Sequence, residues 1–195
     1  MNTQKSIVVV GSANTDMVIK TDKFPLPGET ILGGKFFMFP GGKGANQAVA
    51  ASRLGGIVTF ITRVGNDIFG EQALQHFKKE GIRTDYIISD PQHPSGVALI
   101  TVDSNGENTI VVAQGSNGAL SPDDVQKAVV EFDQIEILLM QLEIPLETVV
   151  FAAKLAKFRG KKVILNPAPA VALPDELLGY LHIITPNKTE TEMLT

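Results

Sequence analysis

The sequence holds no cysteine among its 195 residues, which excludes disulfides, thiolate zinc sites, iron–sulfur clusters and a cysteine nucleophile. Such a composition fits a reducing compartment, and the expectation is a cytoplasmic protein. An excess of positive charge is also missing. Seventeen Lys and Arg against 21 Asp and Glu leave a formal charge of −4, where a nucleic-acid binder would want a basic face. Aromatics amount to 6% and never interleave with a basic strand, which argues against single-stranded nucleic acid as well. Long hydrophobic runs are lacking too. The N-terminal apolar stretch covers only Ile7 to Val10, too short for a signal-peptide core, and nothing approaches the ~18 apolar residues of a transmembrane helix. The histidines show no metal-ligand spacing, and no serine has a G-x-S-x-G context. Neither a nucleic acid nor a membrane is expected as a partner.

What is present is an alternation of short apolar runs and helical patterns, without internal repeats or linkers. A chain of this length buries roughly 70% of its unfolded surface, so residues 1–195 are read as one α/β domain. Ile7-Val8-Val9-Val10 is apolar on both faces, as suits a strand inside a parallel sheet. Ile57 to Ile61, Ile137 to Met140, Val163 to Leu165 and Ile183-Ile184 have the same character. Between them, Phe69, Ala73, Leu74 and Phe77 mark a helix closed by Gly81. Val125, Ala128, Val129 and Phe132 mark another behind the capping sequence Ser121-Pro122-Asp123-Asp124. Leu146, Val149, Val150 and Ala153 mark a third, from Pro145 to near Gly160. Helices covering a mainly parallel sheet follow from this order.

One region breaks the pattern. Val97 to Val102 and Thr109 to Val112 flank Ser104-Asn105-Gly106, a hairpin signal, while Asp16 to Lys20 and Thr30 to Phe39 look extended. These pieces read as a small antiparallel appendage, a lid with segments near 16–39 and 96–113. At the other end, Ile183-Ile184-Thr185 is followed only by the helical stretch from Asn187 to Thr195. An apolar strand there wants neighbours on both sides, and the expectation is an α/β layer cut off part-way with an exposed edge.

Four polar clusters follow predicted strands. Gly41-Gly42-Lys43-Gly44-Ala45-Asn46-Gln47 combines a glycine-rich loop with a helix start whose amides would point outward. It is neither a Walker A loop nor a dinucleotide fingerprint, because Phe37 and Gln47 stand where glycines belong. A close-packed turn explains it equally well. Asn14 and Asp16 follow the first strand, and Gln141 and Glu143 follow the run ending at Met140; a turn or a solvent-facing acid is the bland alternative. Asn187 and Glu190 form an N-terminal capping pattern that needs no function. Gly65-Asn66-Asp67 reads as a turn with Asp67 as helix cap. Together, the clusters at strand carboxyl ends outline a crevice for a polyhydroxyl compound.

With Asn166-Pro167-Ala168-Pro169-Ala170 and Thr185-Pro186-Asn187-Lys188-Thr189-Glu190 added, the ordered motifs resemble the ribokinase family of sugar and nucleoside kinases over all 195 residues. The resemblance is to its ribokinase branch more than to fructokinases or adenosine kinases. It implies a three-layer α/β/α domain with a β-sheet lid that forms a homodimer contact, and ATP-dependent phosphorylation of D-ribose at the 5-hydroxyl. It places Asn14, Asp16, Gly42, Lys43, Asn46 and Glu143 on the sugar, Asn187 on the nucleotide phosphates and Glu190 near Mg²⁺ through water. A potassium site and the catalytic Asp of a Gly-Ala-Gly-Asp segment belong to roughly another hundred residues of such proteins. None of the ten Asp residues here has that context, so the family's base is expected beyond residue 195 and the chain alone is expected to be inactive. A non-catalytic sugar-binding or dimerising half-protein, or a kinase for a related sugar or nucleoside, are the alternatives.

Overall fold

The computed structural model describes residues 5–194; Met1 to Gln4, and Thr195 of the expected last helix, lie outside the described residues. The first elements are β1 (Ser6–Val10), β2 (Asn14–Lys20), β3 (Lys35–Gly41), α1 (Lys43–Arg53), β4 (Ile57–Gly65) and α2 (Ile68–Lys79). Next come β5 (Ile87–Asp90), β6 (Gly96–Val102), β7 (Asn108–Ala113), a 3₁₀ turn at Gly115–Ala119, α3 (Pro122–Lys127) and α4 (Glu131–Gln134). The remainder is β8 (Ile137–Met140), α5 (Leu146–Phe158), β9 (Lys162–Leu165), α6 (Asp175–Tyr180), β10 (Ile183–Ile184) and α7 (Lys188–Leu194).

Six strands form a parallel sheet in the order β10-β9-β8-β1-β4-β5. Side chains of its central strands alternate between two cores. Val8, Val10, Ile61, Leu138 and Met140 pack with Val125, Ala128, Phe132, Val149 and Ala153 of α3, α5 and the segment between them. Val9, Val58, Phe60 and Val64 pack on the other side with Ala45 and Ala48 of α1 and Phe77 of α2. Phe60 and Phe77 meet edge to face, 5.2 Å between centroids. Helices on both faces of a parallel sheet make three layers, and Val8, Val9 and Val10 of β1 are fully buried on both faces, as its unbroken apolar run requires.

After β1 the chain adds β4 and β5 on one side, then returns to add β8, β9 and β10 on the other. Connections therefore diverge between β1 and β8. In open α/β sheets the crevice outside the carboxyl ends of such strands is where ligands bind.

Four strands form the smaller sheet, in the order β3-β2-β6-β7. It is mixed, not antiparallel as the sequence suggested: β2 and β6 run parallel, while β2–β3 and β6–β7 are antiparallel. Both β2 and β6 leave the main body in the same direction, a relation between distant segments that local pattern does not carry. The expected extended stretch from Thr30 also shortens, since Gly33 and Gly34 adopt φ of 102° and 96°, outside any strand conformation. A third difference concerns the helix after Ser121. Its capping box forms as expected, but the helix divides into α3 and α4, joined by tighter turns in which Ala128 N–H and Glu131 N–H donate to Val125 O and Ala128 O. The apolar face survives the break, because Val125, Ala128 and Phe132 all remain fully buried.

Arg63 at the carboxyl end of β4 knits three elements together. Its guanidinium donates to Asp90 at 2.8 Å and to Asp124 at 2.7 Å, and both carboxylates are almost wholly buried. Burial opposes the charge of Asp124, but Arg63, Lys127 and Ser121 outweigh it and hold its pKa at about 2. For Asp90 burial is likewise overcome, by the Gln92 amide, Arg63 and His93, which keep it well below the usual carboxylate range. At the opposite edge of the sheet, Ile183 and Ile184 of β10 stay 49% and 37% exposed.

Candidate functional site

A cavity of about 490 Å³ opens beside the carboxyl ends of β1 and β8 and beneath the smaller sheet. Asn14, Asp16, Gly42, Lys43, Asn46 and Glu143 line it, so six of the eight residues singled out in the sequence come together. Ala98, Ile100, Ile110 and Val112 supply an apolar wall. The registers explain this division: Asp16 lies opposite Ala98 in β6 and Ala98 opposite Val112 in β7, so these alternate residues share one face. Phe37 and Phe39 extend that face across β3, stacked with centroids 6.0 Å apart.

The glycine loop works differently from the expectation. Gly42 adopts φ 90°, and a Cβ there would fall 2.8 Å from Asn14 N and 2.9 Å from Ser12 O, so glycine lets the loop lie against the chain leaving β1. α1 then begins, but its first amides do not point outward. Lys43 N–H donates to Glu143 Oε2 at 2.9 Å, Gly44 N–H to Ser12 Oγ at 3.3 Å and Ala45 N–H to Ser12 O at 2.8 Å. Asn46 N–H closes on Gly42 O. The helix start is thus saturated by protein groups, and its positive end holds a carboxylate of the chain itself in place of a ligand anion.

Glu143 is clamped from two sides. Ser12 Oγ–H donates to Oε2 at 2.5 Å alongside the Lys43 amide, and Lys43 Nζ stands 3.8 Å from Oε1. Asp16 is the contrast. No described residue donates a hydrogen bond to its carboxylate, although it is half-buried. Burial raises its pKa above the ordinary value, the negative charge of Glu143 adds to the rise, and Lys43 opposes it. A half-buried carboxylate with no internal donor is an acceptor waiting for hydroxyl groups.

One residue that lines the cavity and one that stands behind it were not legible as such. Asn117, in the 3₁₀ turn, is 1% exposed and lines the cavity; the surrounding Gly115-Ser116-Asn117-Gly118 carries only a turn signal. Ser12, without the G-x-S-x-G context of a nucleophile, serves as the clamp on Glu143. Conversely, Gln141 does not reach the cavity: its Nε2 donates to Gln47 Oε1 at 2.6 Å beneath the loop, and its own Oε1 is buried without a partner.

Asn187 and Glu190 stand apart, following β10, and do not line this cavity. Asn187 N–H and Nδ2 donate to the two oxygens of Glu190 at 2.8 and 2.9 Å, while Glu190 N–H donates back to Asn187 Oδ1. Both carboxylate oxygens are used in capping α7. Among the described residues no group of three or more potential metal ligands gathers. The described residues therefore form no Mg²⁺ cage of their own. Among the described residues no helix is long and apolar enough to cross a membrane.

Comparison with known proteins places the whole chain beside sugar kinases. The chain is 48% identical over 192 residues to a ribokinase of Haemophilus influenzae, an alignment covering 98% of this chain and 63% of that protein. It is 40% identical to a deoxyribokinase of Salmonella typhi, over 97% of this chain and 62% of the relative. The structure of Arabidopsis thaliana ribokinase complexed with ribose and ATP superposes with a TM-score of 0.86 at 33% identity, covering 98% of this chain and 63% of that one. The chain thus spans somewhat under two thirds of the length of the relatives it matches. Since the family model for pfkB carbohydrate kinases matches residues 4–195 as well, this chain belongs to the pfkB family of carbohydrate kinases.

Proposed function

We propose that the chain supplies the sugar-binding side of an ATP-dependent D-ribose kinase that forms ribose 5-phosphate. The observation that carries this reading is Asp16, a half-buried carboxylate without an internal donor, set beside Asn14 and Lys43 under an apolar wall. A pentose presents adjacent hydroxyls that Asp16 can accept from together, and charge-assisted bonds of this kind are about twice as strong as neutral ones. Lys43 balances the paired negative charges of Asp16 and Glu143. Asn46, one turn into α1, adds an exposed amide, and Gly42 brings the backbone close. Ile100, Ile110 and Val112 cover the bound sugar and exclude water, which strengthens each polar contact. The kinship to a ribokinase of H. influenzae and to the ribose-bound Arabidopsis structure supports ribose as substrate.

In the reaction the 5-hydroxyl oxygen bonds to the γ-phosphorus of ATP, the bond to the β-phosphate oxygen breaks, and the hydroxyl proton passes to a base. Positioning and charge stabilisation dominate such transfers. No cavity carboxylate is assigned as that base: Asp16 is engaged by the sugar and Glu143 by Ser12 and Lys43. When bound, ATP would supply the phosphoryl group and Mg²⁺ would offset the charge of its phosphates, with Asn187 and Glu190 on the edge facing them. K⁺ has no proposed ligand in these residues. The smaller sheet would close over the sugar and pair with a second copy, since Phe36, Leu99 and Val111 on its outer face are 58%, 57% and 70% exposed.

The test is ADP formation by the full-length protein with Mg²⁺, K⁺ and a panel of ribose, 2-deoxyribose, fructose and adenosine. Turnover with ribose is expected. Preference for 2-deoxyribose would move the assignment to the deoxyribokinase relative, and binding of ribose without any turnover would favour a non-catalytic role.

A further inference from the structure

We infer that Asn117 is a positioning residue that fixes which atom of Asn14 faces the ligand, an inference that rests on the sugar-binding reading of this cavity. The argument starts from atoms whose roles are unambiguous. Ala13 N–H can only donate, and it bonds one end of the Asn117 amide at 2.9 Å; that end must be Oδ1. Ala13 O can only accept, and it lies 3.1 Å from the other end, which must be Nδ2. Asn117 therefore grips one residue, Ala13, by its backbone N–H and C=O and cannot turn over without opposing donor to donor and acceptor to acceptor.

The same Nδ2 lies 2.7 Å from one end of the Asn14 amide. That end has to accept, so it is Oδ1. The consequence passes outward: Asn14 Nδ2, with no partner among the described residues, is the end left for the cavity. Asn14 thus presents two donors to a ligand oxygen, while its neighbour on the same face, Asp16, presents only acceptors. Hydroxyl groups are donor and acceptor together, and a donor beside an acceptor reads two neighbouring hydroxyls with opposite polarity. Gly96 makes the arrangement possible. A Cβ at that position would collide with both Asn117 Nδ2 and Asn14 Oδ1, so the absence of a side chain there leaves the room in which the two amides meet.

The test combines exchange and affinity in the full-length protein. Side-chain amide exchange followed by ¹⁵N nuclear magnetic resonance should show the Asn117 Nδ2 protons protected and those of Asn14 exchanging faster. The reverse order overturns the inference. Asn117→Asp replaces the donor by an acceptor, forcing Asn14 to turn its carbonyl to the cavity, and should weaken ribose binding about ten-fold, as should Asn14→Ala. In an Asn14→Ala background the same Asn117→Asp change should leave the ribose Kd unmoved while still lowering the melting temperature. An equal loss of affinity in both backgrounds would mean that Asn117 acts through general packing, and the inference would fall. Wild-type protein that shows the expected exchange order but binds no ribose would overturn the sugar reading alone and leave the orientation of Asn14 standing.

Discussion

Replacing Arg63 by Met tests how far three elements behind the cavity depend on one cation. Met follows the Arg stem as far as the position of Nε, so packing along the stem is largely kept while the charged end is lost. Two carboxylates, Asp90 and Asp124, are then left 2% and 1% exposed without their shared partner. Removing one side of a buried ion pair costs about 3–5 kcal/mol. An independent figure comes from Asp124 itself: a carboxyl lowered from 3.8 to about 2 carries about 2–3 kcal/mol of stability at neutral pH. Lys127 and His93 remain to soften the loss, so a deficit near 3 kcal/mol is expected. The pH dependence has a definite sign. Both carboxyls are depressed in the folded state, so their stabilisation is complete above the unfolded value near 4 and fades as the pH falls toward 2. In the variant their pKa values rise, and the difference between the two proteins should narrow between pH 5 and pH 3. Urea unfolding followed by far-ultraviolet dichroism measures this, with the midpoint at pH 7 falling by about 1–2 M. A deficit below about 1 kcal/mol, or one that stays constant down to pH 3, would refute the account of this network.

Four further outcomes follow, three from the site and one from the outer face of the smaller sheet. Asp16→Asn should weaken ribose binding by at least about ten-fold, the loss of a charge-assisted bond, whereas Glu147→Gln, on the exposed start of α5, should leave calorimetric affinity unchanged. Because burial raises the Asp16 pKa, its charge burdens the free protein above that value, so the same Asp16→Asn change should raise the melting temperature at pH 7 and lose this advantage as the pH falls. Ser12→Ala removes one of the two donors on Glu143 and should lower both ribose affinity, by about three- to ten-fold, and stability, by about 1 kcal/mol. Leu99→Asp with Val111→Asp places charge on the outer face of the smaller sheet; if that face pairs two copies as proposed, sedimentation should shift from dimer to monomer, and an unchanged sedimentation coefficient would refute the pairing.

The sequence made the main sheet readable because burial on both faces leaves a mark in composition: Ile7 to Val10 and Ile137 to Met140 admit no polar residue, and each became a strand. Strand β5 escaped notice since only Ile87 and Ile88 are apolar in it, with Ser89 and Asp90 completing its four residues. α6 was hidden by its brevity. The parallel pairing of β2 with β6 could not be read, because hydrogen bonds between backbones eighty residues apart leave no local pattern. At the site, Asp16 was legible as an acid just past a strand of the main sheet, whereas Lys43 and Asn46 were reached through the resemblance of the glycine loop to the ribokinase family. Asn117 and Ser12 were missed because their role is to hold other side chains, and a buried amide in a glycine-flanked turn looks the same whether it orients a neighbour or merely closes the turn.

The alternation of the smaller sheet has a consequence for how its lining can change. Every residue it contributes to the cavity from β2, β6 and β7 is even-numbered: Asn14, Asp16, Ala98, Ile100, Ile110 and Val112. Parity, not only identity, specifies the site. Deleting one residue between Val10 and Asn14, where the shortened connection pulls β2 along by one position against β3 and β6, would swing Thr15 and Met17 inward and turn Asp16 to the outer face. β2 is held on both sides, by β3 and β6, so it has no free edge along which to slip back. The turn at 103–107, at the far ends of β6 and β7, is under no such constraint. A residue added at its tip lengthens the loop and leaves the even set facing the cavity.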